Sequence, residues 1–275
     1  MIARRGDQAA QLTGREQRRS AAAEVDGLDR QAGGIAPRLG GQRLQIARDE
    51  GLEAGIGVEV AVGALGATKR DVKIESGMRP LLVATTSPHK LEEYRALLAG
   101  LPFELRSLSD AGIDEDVEET GATFEDNARL KAERYRDLSG LLTLADDSGL
   151  EVDALEGRPG VHSKRWAGDV SDDDRNVRLL ESLAGVAEAE RSARYRCAIA
   201  LASPGRETLL AQGSCDGLIA RQPVGTNGFG YDPLFFVPEL NQTLGQAPSE
   251  VKNRLSHRGR AAAGARGMLE SWGSA

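Results

Sequence analysis

Large side chains are missing from the start of this chain. Residues 1–77 contain no Phe, Trp, Tyr, His, Asn or Cys, and all eleven aromatic residues lie beyond Met78. Ala, Gly, Arg and Gln dominate instead, so this stretch can bury little apolar area against the entropy of ordering it. It reads as a poorly ordered or non-native extension over 1–77. Two origins stay open: upstream sequence translated from a misplaced start, or a genuine disordered or regulatory tail. Cysteine is as scarce. Only Cys197 and Cys215 are present, with no CxxC and no Cys/His cluster, which argues against a disulfide framework or a zinc site and fits a reducing cytoplasm. No apolar run is long enough to cross a bilayer, and the basic first residues have no apolar segment behind them to make a secretory signal. Positive charge is in deficit too. At a net charge of −7 and a pI near 5.2, a broad nucleic-acid-binding surface is excluded. An anionic ligand would have to be caught by a few placed cations.

From Met78 onward the pattern changes. Strands and helices alternate, which predicts one α/β domain over 78–275 with a mixed, twisted sheet flanked by helices. "LLVAT" (81–85) is a short apolar run, hence a buried strand. "HKLEEYRALLAG" (89–100) places Leu91, Tyr94, Leu97 and Leu98 on one helical face and stops at Gly100. The segment 123–140 is a longer helix with Thr123 as its cap, followed by a strand at "LLTLA". Ser171 and three aspartates open a helix over 171–185, as a helix N-terminus prefers. Strands follow at 193–203, 207–220 and 233–238, and a helix at 260–272 closes the chain.

The candidate chemistry starts at "LADDSGLEVDAL". Asp146 and Asp147 sit side by side after an apolar run. At ~5 Å and an effective dielectric of ~20 their repulsion costs on the order of 3 kcal/mol. Alternation along a strand would turn them to opposite sides, and the C-terminal end of a strand is where open α/β sheets place ligands. Asp-Asp-Ser-Gly is equally ordinary turn chemistry. Glu118 and Glu119 add carboxylates just before the second helix. In that helix Phe124, Ala128, Lys131, Tyr135 and Leu138 share a face, so Lys131 interrupts an apolar stripe, with Asn127 one turn before it. The first strand ends in Thr85-Thr86-Ser87-Pro88-His89-Lys90, hydroxyls and a lysine at a helix start, a plausible phosphate cradle that is not a Walker A loop. The loop "GTNGFGYDPLFF" brings Phe229, Gly230, Tyr231 and Asp232, with glycines for close approach and a ring to stack on a base. Lys252, His257 and Arg258 then lie close in sequence.

Each motif is ordinary alone; their order is not. "VATTSPHKLEEYRALL", "EETGATFEDNARLKA", "LADDSGLEVDALEGRPGVHSKRWAG", "GTNGFGYDPLFF" and "KNRLSHRGRA" resemble, in sequence order, the motifs of the Ham1/inosine triphosphate pyrophosphatase family. The resemblance runs from Met78 to the C-terminus and leaves out 1–77. It departs in the first loop, where the commonest family form is T/S-G-N-x-G-K: the lysine is kept, but both glycines and the asparagine are replaced. Trp166 stands where the family usually has Tyr.

The resemblance implies an elongated fold with a central cleft. It implies hydrolysis of non-standard purine nucleoside triphosphates (ITP, dITP, XTP) to the monophosphate and pyrophosphate, cleansing the nucleotide pool. It implies Mg2+ as cofactor, held by Glu119 and Asp147 with Asp146 supporting, and Asp147 activating the attacking water. Lys90, Lys131 and Lys252 would offset the triphosphate charge, and Ser148 would help to hold the substrate. Phe229 would stack on the purine, with Asp232 near the base. His257 or Arg258 would donate to the 6-keto oxygen that hypoxanthine and xanthine carry and adenine lacks. A cytoplasmic homodimer is expected, with no membrane and no stable nucleic-acid partner. The rival readings are a Maf-type pyrophosphatase of other base preference and a non-catalytic nucleotide-binding module.

Overall fold

The computed structural model describes residues 78–273. The extension expected over 1–77 lies outside the described residues. The described chain begins with β1 (Arg79–Val83), α1 (Pro88–Leu97) and β2 (Phe103–Ser107). Next come α2 (Phe124–Ser139), β3 (Leu142–Val152), α3 (Asp172–Ser182), β4 (Ser192–Ala202) and β5 (Leu209–Ile219). Two short strands, β6 (Phe235–Val237) and β7 (Gln242–Thr243), precede α4 (Ser249–Leu255) and α5 (His257–Gly273). The strands form one mixed sheet in the order β2-β1-β3-β4-β5-β6-β7. β1 runs parallel to both β2 and β3, and the remaining pairs are antiparallel.

The helix boundaries follow from local chemistry. Ser87 caps α1 by accepting from Lys90 N, and Pro88 fills the first helical position, where no N–H is needed. Thr123 accepts from Asp126 N at the start of α2, and Gly140 in a left-handed conformation ends it. Ser171 accepts from Asp174 N and opens α3.

Alternation along β3 assigns its residues to two layers. Leu144 packs with Tyr94 of α1, with Leu98 just after it, and with Ala261, Ala265 and Leu269 of α5. Ala145 points the other way, with Ala198 and Ala200 of β4, onto Phe124, Ala128, Ala132 and Tyr135 of α2. The far end of β3, Leu150 and Val152, joins Leu179 of α3, Leu183 just after it, and Phe235 in a third cluster. Truncating a fully buried leucine such as Leu144 to alanine would cost about 2–5 kcal/mol.

Three expectations are corrected. β2 was not anticipated: "FELRS" does alternate apolar and polar residues, but over only five residues, and it takes its place beside β1. Leu138 does not complete the stripe of α2: it is 39% exposed and stands outside the cluster that holds Phe124, Ala128 and Tyr135. The pair Asp146-Asp147 is neither a turn nor a strand terminus. β3 continues through it, pairing Asp146 with Ile199 and Asp147 with Ala198. Gly149 permits this. A Cβ there would press into the Gly160 carbonyl and the Ser163 hydroxyl, so the glycine answers a close approach of the following segment, not a bend.

Candidate active site

The mid-strand position sends the two neighbouring carboxylates to opposite faces of the sheet. On the α2 face, Asn127 is fully buried and donates Nδ2 to Asp147 Oδ2 at 3.0 Å. Its Oδ1 accepts from Gly121 N at 2.7 Å. A Cβ on Gly121 would lie 2.7 Å from that same Oδ1, so only glycine lets the acidic loop lie this close. Asn127 thus ties the loop carrying Glu119 to β3. Lys131, one turn on, pairs with Glu119 Oε1 and lies 3.8 Å from Asp147 Oδ1. Arg165 reaches Glu119 Oε2 at 3.5 Å. Burial opposes the charge on Glu119, but the Lys131 ammonium outweighs it and holds Glu119 below the usual carboxylate range. Asp147 goes the other way: burial, reinforced by the Glu119 charge, raises it despite Lys131. For Lys131 itself, burial is outweighed by Asp147 and Glu119, and its pKa rises.

On the α1/α5 face, Asp146 Oδ2 accepts from Lys90 Nζ at 2.9 Å and from Arg258 at 3.4 Å. Arg258 is 1% exposed, donates to Ser148 Oγ at 2.8 Å and pairs with Glu93 at 2.6 Å. Lys252, 4% exposed, is held between Glu93 at 2.7 Å and Asp232 at 2.6 Å. Asp232 Oδ2 also accepts from Phe229 N at 2.9 Å. Three cations and three carboxylates therefore alternate in one buried chain from β3 to the glycine-rich loop. Burial would raise Asp146, but Lys90 and Arg258 overcome it and hold the carboxyl far below the usual range. The Cys197 thiol beside it, 3.8 Å from Oδ2, is pushed up to about 12 by burial and by that carboxylate. Asp146 and Cys197 are thus fixed as anion and neutral thiol at neutral pH.

Phe229 stands at the end of this chain. Its ring centroid is 4.5 Å from Lys252 Nζ and 5.6 Å from the Arg258 guanidinium. The imidazole of His89 stacks on it at 5.2 Å and 12°. An aromatic ring, cations and carboxylates thus meet where the middle of β3, α1, α4, α5 and the glycine-rich loop adjoin.

Not every residue singled out in the sequence joins this group. In the first loop, Thr85 Oγ1 accepts from Ser87 N and Ser87 Oγ from Lys90 N, so both hydroxyls serve the start of α1. Thr86 and Pro88 are exposed. Tyr231 is buried in the core, its hydroxyl donating to Ser163 O at 2.9 Å. His257 stacks on Tyr195 at 4.5 Å, and burial together with Arg258 lowers its pKa well below the usual histidine value. It is a neutral, packed ring. Glu93 was missed, although its place three residues after Lys90, on the same side of a helix, was a usable signal. Arg165 carried no such signal.

A sequence profile of the Ham1 family matches residues 81–267. The chain belongs to the Ham1 family. A dITP/XTP pyrophosphatase of Geobacter sulfurreducens is 51% identical over 187 residues, covering 68% of this chain and 94% of the relative. A dITP/XTP pyrophosphatase of Bacillus licheniformis is 46% identical over 185 residues, covering 67% and 94%. Among solved structures, a HAM1 protein from Coxiella burnetii superposes with a TM-score of 0.65 at 38% identity, over 70% of this chain and all of that one. The Ham1 match begins within β1, so it shares the described sheet and helices.

Proposed function

We propose that this protein hydrolyses non-standard purine nucleoside triphosphates, ITP, dITP and XTP, to the monophosphate and pyrophosphate. The relatives named above support the reaction. The observation that carries it to residues of this chain is the split of Asp146 from Asp147. One carboxylate is buried in cations, while its neighbour lies with Glu119 around a single lysine.

Mg2+ is the proposed cofactor. Among the described residues, no three His, Cys, Asp or Glu side chains converge as a ready-made metal cage. Mg2+ does not need one: it is commonly held by one or two carboxylates together with substrate phosphates. Glu119 and Asp147 supply such a pair of hard oxygen donors, brought to either side of Lys131. The ion would withdraw charge from the phosphate oxygens. The salt contacts of Asp146 to Lys90 and Arg258 favour a different task for it, fixing those cations from behind.

Asp147 is the proposed proton acceptor for the attacking water. Asn127 donates Nδ2 to its Oδ2 and so fixes the orientation of the carboxylate. Lys90 and Lys131 would meet the phosphates and stabilise charge moving to the leaving pyrophosphate. Phe229 would be the stacking platform for the base, next to Lys252 and Asp232. Of the two donors considered for the 6-keto oxygen, the chemistry favours Arg258, whose guanidinium has only donors to offer, over His257, which burial and Arg258 hold neutral with one acceptor nitrogen. An adenine amino group would leave such a donor unpaired, at about 1–3 kcal/mol. The homodimer belongs to this proposal on the resemblance, and the cytoplasmic location on the scarcity of cysteine.

A substrate panel tests it. ITP, dITP and XTP should each yield monophosphate and pyrophosphate far faster than ATP. Preference for pyrimidine nucleotides would favour a Maf-type enzyme instead, and tight ITP binding without product would make the protein a binding module.

A further inference from the structure

The acidic start of α3 has a use beyond capping. Ser171 and Asp174 form the cap: Asp174 N donates to Ser171 Oγ, and Ser171 Oγ donates to Asp174 Oδ2 at 2.7 Å. Asp172 is left free of that task. Its Oδ2 accepts from the backbone N–H of Gly230 at 2.6 Å, while Arg175 holds its other oxygen. One turn on, Asn176 is 3% exposed and donates Nδ2 to the Gly230 carbonyl at 3.0 Å. Both peptide groups of one loop residue are therefore gripped by side chains of a single helix. The neighbouring N–H, that of Phe229, is taken by Asp232.

We propose that Asp172 and Asn176 are positioning residues that set the ring of Phe229 for stacking on the substrate base. The proposal rests on the reading of Phe229 given above. The loop between β5 and β6 has no regular structure at this point to hold an aromatic in place. Two hydrogen bonds to the residue after Phe229 and one to Phe229 itself fix the backbone on both sides of the ring. An exposed loop without them would have to order itself at each binding event, and that cost would appear in substrate affinity. Neither residue touches the phosphate-side carboxylates, so the chemical step should not depend on them.

The test compares Asp172→Ala and Asn176→Ala with the unaltered full chain. With ITP, KM should rise by about threefold to tenfold, the scale of one aromatic stacking contact, while kcat stays within about a factor of two. Inorganic tripolyphosphate, which has no base, should inhibit the variants and the parent equally. Asp172→Glu, which restores an acceptor, should recover part of the loss. Asp172 is exposed, so its alanine variant keeps its fold even if Asn176→Ala does not. Unchanged KM in Asp172→Ala, or equally weakened inhibition by tripolyphosphate, overturns the clamp alone. Failure of the parent to cleave ITP overturns the clamp and the functional reading together.

Discussion

Replacing Lys131 with methionine removes the one ammonium between Glu119 and Asp147 and keeps most of the side-chain volume. The Lys131 side chain is 12% exposed, and Asp147 Oδ1 is 3.8 Å away. At an effective dielectric of ~20, a pair at that distance attracts by about 4 kcal/mol. The contact with Glu119 adds to this, while the desolvation of three charges subtracts from it. Removing one partner of a buried ion pair costs about 3–5 kcal/mol, because the remaining charges stay behind. Urea unfolding near neutral pH, with no divalent ion, should therefore show a loss of that order. The pH dependence has a definite sign. In the parent, Glu119 lies below its reference value of 4.5, so its contribution is present above that value and is lost as pH falls through the folded pKa. Without Lys131 that contribution is gone, and Asp147 is raised further, so the gap between the proteins should narrow in acid. Saturating Mg2+ should stabilise the variant more than the parent, since it no longer competes with an ammonium for the two carboxylates. A loss below about 1 kcal/mol, or equal stabilisation of both proteins by Mg2+, would refute the reasoning.

Two further predictions concern the frame around the site. Glu93→Gln removes the shared counter-ion of Lys252 and Arg258 and should cost about 2–4 kcal/mol in urea unfolding at neutral pH. Arg258 and Lys252 overcome burial to hold Glu93 below its reference value of 4.5, so this difference should fade as pH drops below that value. Gly149→Ala should be destabilised by about 1–3 kcal/mol or more, measured by thermal unfolding, because its methyl would meet the Gly160 backbone.

The sequence made the outline of this fold legible through periodicity and punctuation. Thr123 and Ser171 were readable as caps because their side chains act within one turn. The stripe on α2 was readable up to Tyr135. What escaped was set by tertiary partners. β2 becomes a strand only beside β1, and "DDSG" becomes mid-strand only because β4 pairs along its whole length and Gly149 admits the Gly160 segment. The site follows the same division. Residue types and motif order pointed to Glu119, Lys131, Asp146 and Asp147, and strand alternation pointed to opposite sides for the two aspartates, but nothing local showed the chain of ion pairs that engages Asp146. Nor could they show that Tyr231 and His257 are packed away, or that Glu93 joins Lys252 to Arg258 across more than 150 residues of chain.

The central claim is that Asp147 and Glu119 hold a divalent ion against a bound polyphosphate. The most direct measurement is the production of monophosphate and pyrophosphate from ITP, with Mg2+ or with chelator, by the parent and by Asp147→Asn. The account predicts Mg2+-dependent turnover in the parent. It also predicts a fall of about a hundredfold or more in the variant, with ITP binding largely kept. Turnover that survives the chelator, or a variant that works at the parent's rate, would contradict it.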